Sequence, residues 1–260
     1  MIGAIIGDIV GSTYEFAPTK NYNFELLPVG STYTDDSIMC VAVADAIMRN
    51  KSFAAAMRYW GNKYPTPKGS YGGHFAVWLH MQAPMPYNSF GNGSAMRVVA
   101  IGWAEENLLS VQHTAYTCAE CTHNHPEGIK GAVAVATAVY LARCGHTKAD
   151  IKQRIEQQFS YDLSFDLQER KRIYSFDETC MGTVPVAIKC YLESVDFEDA
   201  IRLAVAMGGD ADTLGCITGA IAEAGYGTHT IPTYLFKAAM NELPADMREV
   251  VVEFINRYQR

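Results

Sequence analysis

No run of about 18 apolar residues, the length needed to span a bilayer, occurs in this 260-residue chain. The apolar opening, Met1 to Gly7, lacks a basic leader and reaches Asp8 at once, so no secretory signal is expected. Alternating β-branched runs between hairpin turns are missing, which argues against a sheet. A G-x-S-x-G nucleophile elbow is missing, as is a G-x-G-x-x-G fingerprint set in a βαβ pattern. Positive charge is scarce as well: 21 Lys and Arg stand against 28 Asp and Glu, for a net charge of -7. That balance disfavours non-specific binding to nucleic acid or to anionic membranes. Seven cysteines, an odd number, do not suggest a disulfide framework. Buried free thiols in a reducing cytoplasm are the expectation.

What the chain does have is helical period. Hydrophobic residues make up 49% and charged residues 19%, the balance of a soluble globular protein. Apolar periodicity and caps predict helices over Asp36–Arg49, Phe53–Asn62 (capped by Ser52), His74–Gln82, Ser94–Glu106, Val111–Cys121 and Glu127–Arg143. Gly145 is placed to end the last of these. Further helices are predicted over Lys148–Gln158, Val184–Glu193, Phe197–Ala206, Ala211–Ala224, Thr233–Met240 and Ala245–Arg257. A longer irregular stretch runs from Ser160 to Thr179. The reading is one all-α domain over residues 1–260. In the first segment Gly3, Gly7 and Gly11 share one helix face, where another backbone could approach closely. Asp8 and Glu15 then stand out as carboxylates in apolar surroundings.

Two acidic clusters lie far apart in the sequence, Thr34-Asp35-Asp36 and Asp210-Ala211-Asp212-Thr213. Each fronts a predicted helix. Capping is the ordinary explanation, since Thr and Asp are favoured N-caps and first-turn carboxylates complement the helix dipole. A cap needs only one side chain, however, and the second cluster offers three after Gly208-Gly209. Carboxylates and threonine hydroxyls are hard oxygen donors. Brought together, the clusters would suit two hard divalent cations, Mg²⁺ or Mn²⁺.

Three other motifs are candidates. Phe90-Gly91-Asn92-Gly93-Ser94-Ala95-Met96-Arg97 opens a helix, and its glycines expose N–H groups that could cradle a diphosphate. An ordinary Asn-Gly turn capped by Ser94 is the alternative. Tyr71-Gly72-Gly73-His74 is a flexible aromatic loop that could close over a ligand or simply turn. Cys118, Cys121, His123 and His125 crowd into eight residues, too close for a usual structural zinc site, so core thiols beside a site histidine are preferred.

Taken in order, these motifs resemble the ADP-ribosylglycohydrolase family. The carrying residues are Gly7-Asp8 through Gly11-Ser12 to Glu15, Thr34-Asp35-Asp36-Ser37, Gly91 to Arg97, Thr122-His123, Cys180-Met181-Gly182-Thr183-Val184-Pro185 and Gly208 to Thr213. The resemblance spans the first residues to at least Gly227. It implies a single compact multi-helix domain with a binuclear Mg²⁺ or Mn²⁺ centre in a central cleft. Thr34, Asp35, Asp36, Asp210, Asp212 and Thr213 would be metal ligands, and Glu15 and Asp36 catalytic. Tyr71, Gly72, Gly73, Phe90, Gly91, Asn92, Gly93, Ser94, Met96, His123 and Gly182 would bind substrate, with His125 a rival to His123. The implied reaction is hydrolysis of the bond between ADP-ribose and an attached group on a protein or small conjugate. A non-catalytic ADP-ribose binder is the alternative.

Overall fold

Side-chain caps set most of the helix starts. Ser52, Asn107, Thr147, Asp166, Thr179 and Asp196 each accept a hydrogen bond from a first-turn N–H, and Thr147 with Asp150 forms a reciprocal capping box. In the computed structural model, which describes residues 1–259, the helices run in this order: α1 (Ile2–Gly11), α2 (Asp35–Arg49), α3 (Phe53–Lys63), α4 (Gly73–His80), α5 (Gly93–Met96), α6 (Val99–Ala104), α7 (Leu108–Glu120) and α8 (Pro126–Arg143). There follow α9 (Lys148–Phe159), α10 (Leu167–Ile173), α11 (Cys180–Glu193), α12 (Phe197–Val205), α13 (Ala211–Tyr226), α14 (Thr233–Glu242) and α15 (Ala245–Tyr258). Among the described residues there is no sheet, only isolated bridges joining Thr34 to Lys68 and Gly91 to Thr179. No described helix is long and apolar enough to cross a membrane.

The all-α expectation holds, with differences in several elements: α11 starts at Cys180 and α7 at Leu108, ahead of the predicted Val184 and Val111. The predicted helix over Ser94–Glu106 is two helices, α5 and α6, broken at Arg97-Val98, where Val98 leaves helical dihedrals at ψ 3°. The break lets the Arg97 side chain turn inward. The stretch expected to be irregular, Ser160 to Thr179, contains the short helix α10, capped by Asp166.

Two helices form the centre. Alanine-rich α8 packs against α5, α6, α7, α9, α11 and α13, its small side chains allowing close approach. Every residue of α1 is buried, and α1 lies directly on α13. The glycine stripe makes that crossing possible. A Cβ on Gly7 would overlap the Gly215 carbonyl, one on Gly3 the Gly219 carbonyl, and one on Gly11 the backbone at Ala211-Asp212. The start of α13 is thereby fixed against the end of α1. As α1 also meets α2, the starts of α2 and α13 face one another.

All seven cysteines are free; five are buried, Cys121 is half-buried and Cys144 is exposed, so the expectation of burial fails for Cys144.

Candidate active site

Asp8 organises the first half of the site. Its buried carboxylate accepts hydrogen bonds from Thr34 N–H (3.0 Å), Thr34 Oγ1 (2.8 Å), Ser37 N–H (3.0 Å) and Ser37 Oγ. Two of these donors are backbone groups of the first turn of α2, which have no partner within the helix. Thr34 is the N-cap, its Oγ1 accepting from Asp36 N–H at 3.2 Å. The carboxylate therefore pins the turn that presents Asp35 and Asp36 to the interior.

The second half begins where α12 ends. Gly208 adopts φ +67°, and a Cβ on Gly209 would overlap the Tyr174 ring. Lys20 holds this approach by donating from Nζ to the carbonyls of Lys171 (2.8 Å), Tyr174 (2.6 Å) and Met207. Asp210 occupies the N-cap position of α13, yet its side chain does not cap that helix. Its Oδ2 accepts instead from Asn92 Nδ2 at 2.6 Å, and Asn92 also donates to Thr183 Oγ1 at 3.0 Å. The halves meet directly: Thr213 Oγ1 donates to Asp36 Oδ2 at 3.3 Å.

Crowding and burial make this cluster electrostatically costly. Burial, then the neighbouring carboxylates, holds Asp35, Asp36 and Asp212 well above the usual carboxylate range. Asp8 and Asp210 are raised by burial too, against the pull of their hydrogen bonds. Glu15 is raised to about 7 by burial and by the charges of Asp210 and Asp8. Its Oε2, with Asp36 Oδ1 and Asp212 Oδ1, is buried without any hydrogen-bond partner. Lys68 is the nearby cation, but its Nζ is held by the Gly30 carbonyl at 2.8 Å, with Ser12 and Thr13 hydroxyls beyond. Orphaned, mutually repelling oxygen donors are what a hard divalent cation would satisfy. Among the described residues no three His, Cys, Asp or Glu side chains already close around a single point. The fit is thus one of donor chemistry and missing countercharge.

These carboxylates form one end of a cleft of about 290 Å³. Glu15, Asp35, Asp36, Asp210, Asp212 and Thr213 line that end, and Tyr71, Gly72 and Gly73 line a wall. Gly91, Asn92, Gly93, Met96 and His123 also line the cleft, Asn92 reaching the carboxylates through its bond to Asp210. A wider hollow of about 780 Å³ on α15 is bordered by Arg248, Glu249, Glu253 and Arg257, with no comparable cluster.

Four candidates do not line the cleft. Thr34 turns its hydroxyl to Asp8 and to its own helix. Ser94 Oγ donates to the Gly128 carbonyl at 2.8 Å, tying α5 to α8. The exposed Phe90 ring sits edge-on to His125, centroids 5.2 Å apart. Gly182 borders a neighbouring hollow with Tyr174 and Phe176, and a Cβ there would overlap the Asp177 carboxylate. The two histidines are placed differently. His123 lines the cleft, whereas His125 is the N-cap of α8, its Nδ1 accepting from Glu127 N–H at 3.1 Å. Cys118 lies buried in the core, so the residues of the zinc alternative do not converge.

Sequence reasoning named His74 only as the end of the Tyr71 loop and the start of a helix, and assigned no role to Tyr87, Arg97, Phe176 or Glu178, all of which line the cleft. Arg97 lay inside a motif already singled out. For Phe176 and Glu178, in a stretch without periodicity, there was no signal.

Fold and site together define an all-helical protein with a carboxylate-rich cleft at the first turns of α2 and α13. The chain belongs to the ADP-ribosylglycohydrolase family, which it matches along residues 1–260. It is 27% identical to the human ADP-ribosylhydrolase ARH3, an alignment covering 89% of this chain and 85% of the relative. It is 26% identical to a putative ADP-ribosyl glycohydrolase, L543, of Acanthamoeba polyphaga mimivirus, covering 93% and 89%. A solved structure of an ADP-ribosylglycohydrolase-related protein complex superposes with a TM-score of 0.74 at 23% identity, covering 98% of this chain and 96% of that one, which establishes the shared fold.

Proposed function

We propose that this chain hydrolyses the bond between C1 of the terminal ribose of ADP-ribose and an attached group, on a protein side chain or a small conjugate. Asp35, Asp36, Asp210, Asp212 and Thr213 would hold two divalent cations, Mg²⁺ or Mn²⁺. Bound there, the cations would supply Lewis acidity and a lowered pKa for water.

The chain's own residues account for the rest. Cleavage builds positive charge at C1, and the carboxylates surrounding that end of the cleft oppose it. Glu15, the carboxylate that borders the proposed ligands and is raised to about 7 in the metal-free chain, is the general acid/base candidate. Asp36 is held by Thr213 and is the second candidate. The Gly91–Gly93 loop and His123 line the same cleft, and there a diphosphate would be held so that C1 is directed toward Glu15. The family match is the sequence support for this substrate class.

The observation that carries the reading is the junction of the two clusters, Thr213 to Asp36, with orphaned carboxylate oxygens around it. The test is ADP-ribose release from arginine, serine, nucleic-acid and O-acetyl conjugates, with Mg²⁺ and with Mn²⁺. Metal-dependent release from at least one conjugate is expected. ADP-ribose binding without release from any of them would instead identify a non-catalytic binder.

A further inference from the structure

Arg97 carries a positive charge in the cleft wall with no carboxylate beside it. The residue is 1% exposed, lines the cleft, and takes part in no ion pair among the described residues. Its Nη2 donates to the Cys118 carbonyl at 2.9 Å and to Thr122 Oγ1 at 2.7 Å, while its Nε has no hydrogen-bond partner. A buried guanidinium without a counter-ion is strongly unfavourable, so the charge has a use beyond holding two oxygens.

Its hydrogen bonds show where that charge acts. Arginine only donates, so Thr122 Oγ1 must accept from it. The threonine hydroxyl has one proton of its own. His123 Nδ1 lies 2.7 Å from that hydroxyl and can accept the proton; the reverse sense, Nδ1–H donating to the hydroxyl's second lone pair, is what the ring spectra below separate from it. An imidazole that accepts at Nδ1 carries its hydrogen on Nε2. That nitrogen faces the glycine loop: a Cβ built on Gly91 or Gly93 would lie 3.6 or 3.5 Å from it. The Tyr87 ring, with its centroid 5.8 Å away, packs beside the imidazole.

We propose that Arg97 and Thr122 are positioning residues that lock His123 as an Nε2–H donor facing the Gly91–Gly93 loop, giving this part of the cleft the polarity for a diphosphate. Burial, and then the Arg97 charge, also holds His123 well below the usual imidazole range, so the ring donates as a neutral group. The opposite tautomer would turn a lone pair toward the ligand's oxygens and repel them. The choice of ligand rests on the proposed ADP-ribose cleft; the tautomer does not.

The full chain with Thr122→Val, and with Thr122→Ser as the conservative control, provides the test. Long-range ¹⁵N–¹H spectra of the ring should show His123 protonated on Nε2 in the wild type and in the serine variant. In the valine variant the ring should become a mixture of tautomers. Titration with ADP-ribose should show about tenfold or weaker binding for valine, the size expected on losing a hydrogen bond to a charged group, and near-recovery for serine. In turnover, KM should rise more than kcat falls. An Nδ1–H ring in the wild type overturns the proposal even if the valine variant does not fold. So does a valine variant whose tautomer or ADP-ribose affinity is unchanged. Wild-type protein that has the Nε2–H ring but binds no ADP-ribose would leave the relay standing and overturn the proposed substrate instead.

Discussion

At the scale of single residues, Asp8 separates holding a site from forming it. It faces four donors and no open space. Asp8→Asn would turn an amide NH₂ toward some of them and leave buried N–H groups unpaired. We expect a loss of about 2 kcal/mol or more in urea denaturation, together with weaker Mn²⁺ binding. Asp212 is the opposite case. Asp212→Ala removes an orphaned carboxylate oxygen from a mutually repelling cluster. It should abolish metal binding and turnover, by calorimetry and the release assay, while leaving the metal-free melting temperature unchanged or higher. Glu15→Gln keeps the shape of the side chain but cannot exchange a proton. It should bind ADP-ribose normally and lose 10²-fold or more in kcat.

Among the helices, the α1–α13 crossing is the most sensitive contact. Gly7→Ala would drive a methyl into the Gly215 carbonyl, a backbone atom with no room to yield. Overpacking of this kind costs about 1–3 kcal/mol, and here the shift would also part the two acidic turns, so activity should fall further than stability. Gly72→Ala is the control. Nothing lies within 4 Å of a Cβ there, and stability should change by no more than about 0.5 kcal/mol. The crossing was legible in the sequence because glycines spaced by four have little other use on a buried helix. Most helix boundaries were legible as well, because caps such as Ser52 and the turn at Gly145 are local chemistry. The break at Arg97-Val98 was not, as the partners of the Arg97 side chain beside it, Cys118 and Thr122, lie more than twenty positions away. Thr34 and Ser94 show the same limit: residue type announces an oxygen donor, but the partner it meets depends on tertiary packing. Asp210 shows it from the other side, being in cap position yet bonded to Asn92.

For the whole molecule, the carboxylate cluster ties stability to pH in an unusual direction. Glu15 is raised from its ordinary value of 4.5 to about 7, and its aspartate neighbours are raised with it. From about pH 4.5 to 7 the folded chain keeps protons that an unfolded chain has released, so stability falls as pH rises through that window. Metal-free protein should therefore melt at a lower temperature at pH 8 than at pH 5.5. Mn²⁺ should raise the melting temperature strongly at pH 8 and little at pH 5.5, where protons already occupy the carboxylates. A metal-free melting temperature that rises across this range would show that the cluster is ionised and relieved by some other group.

The backbone contact between Gly7 and Gly215 works like the pivot of a pair of callipers clamped at one setting. No side chain intervenes there whose exchange could open or close the jaws by a fraction of an ångström. Side chains have room instead along the cleft's border, as at Gly72, where a Cβ would meet nothing, while the spacing of the carboxylate jaws stays as the glycines set it.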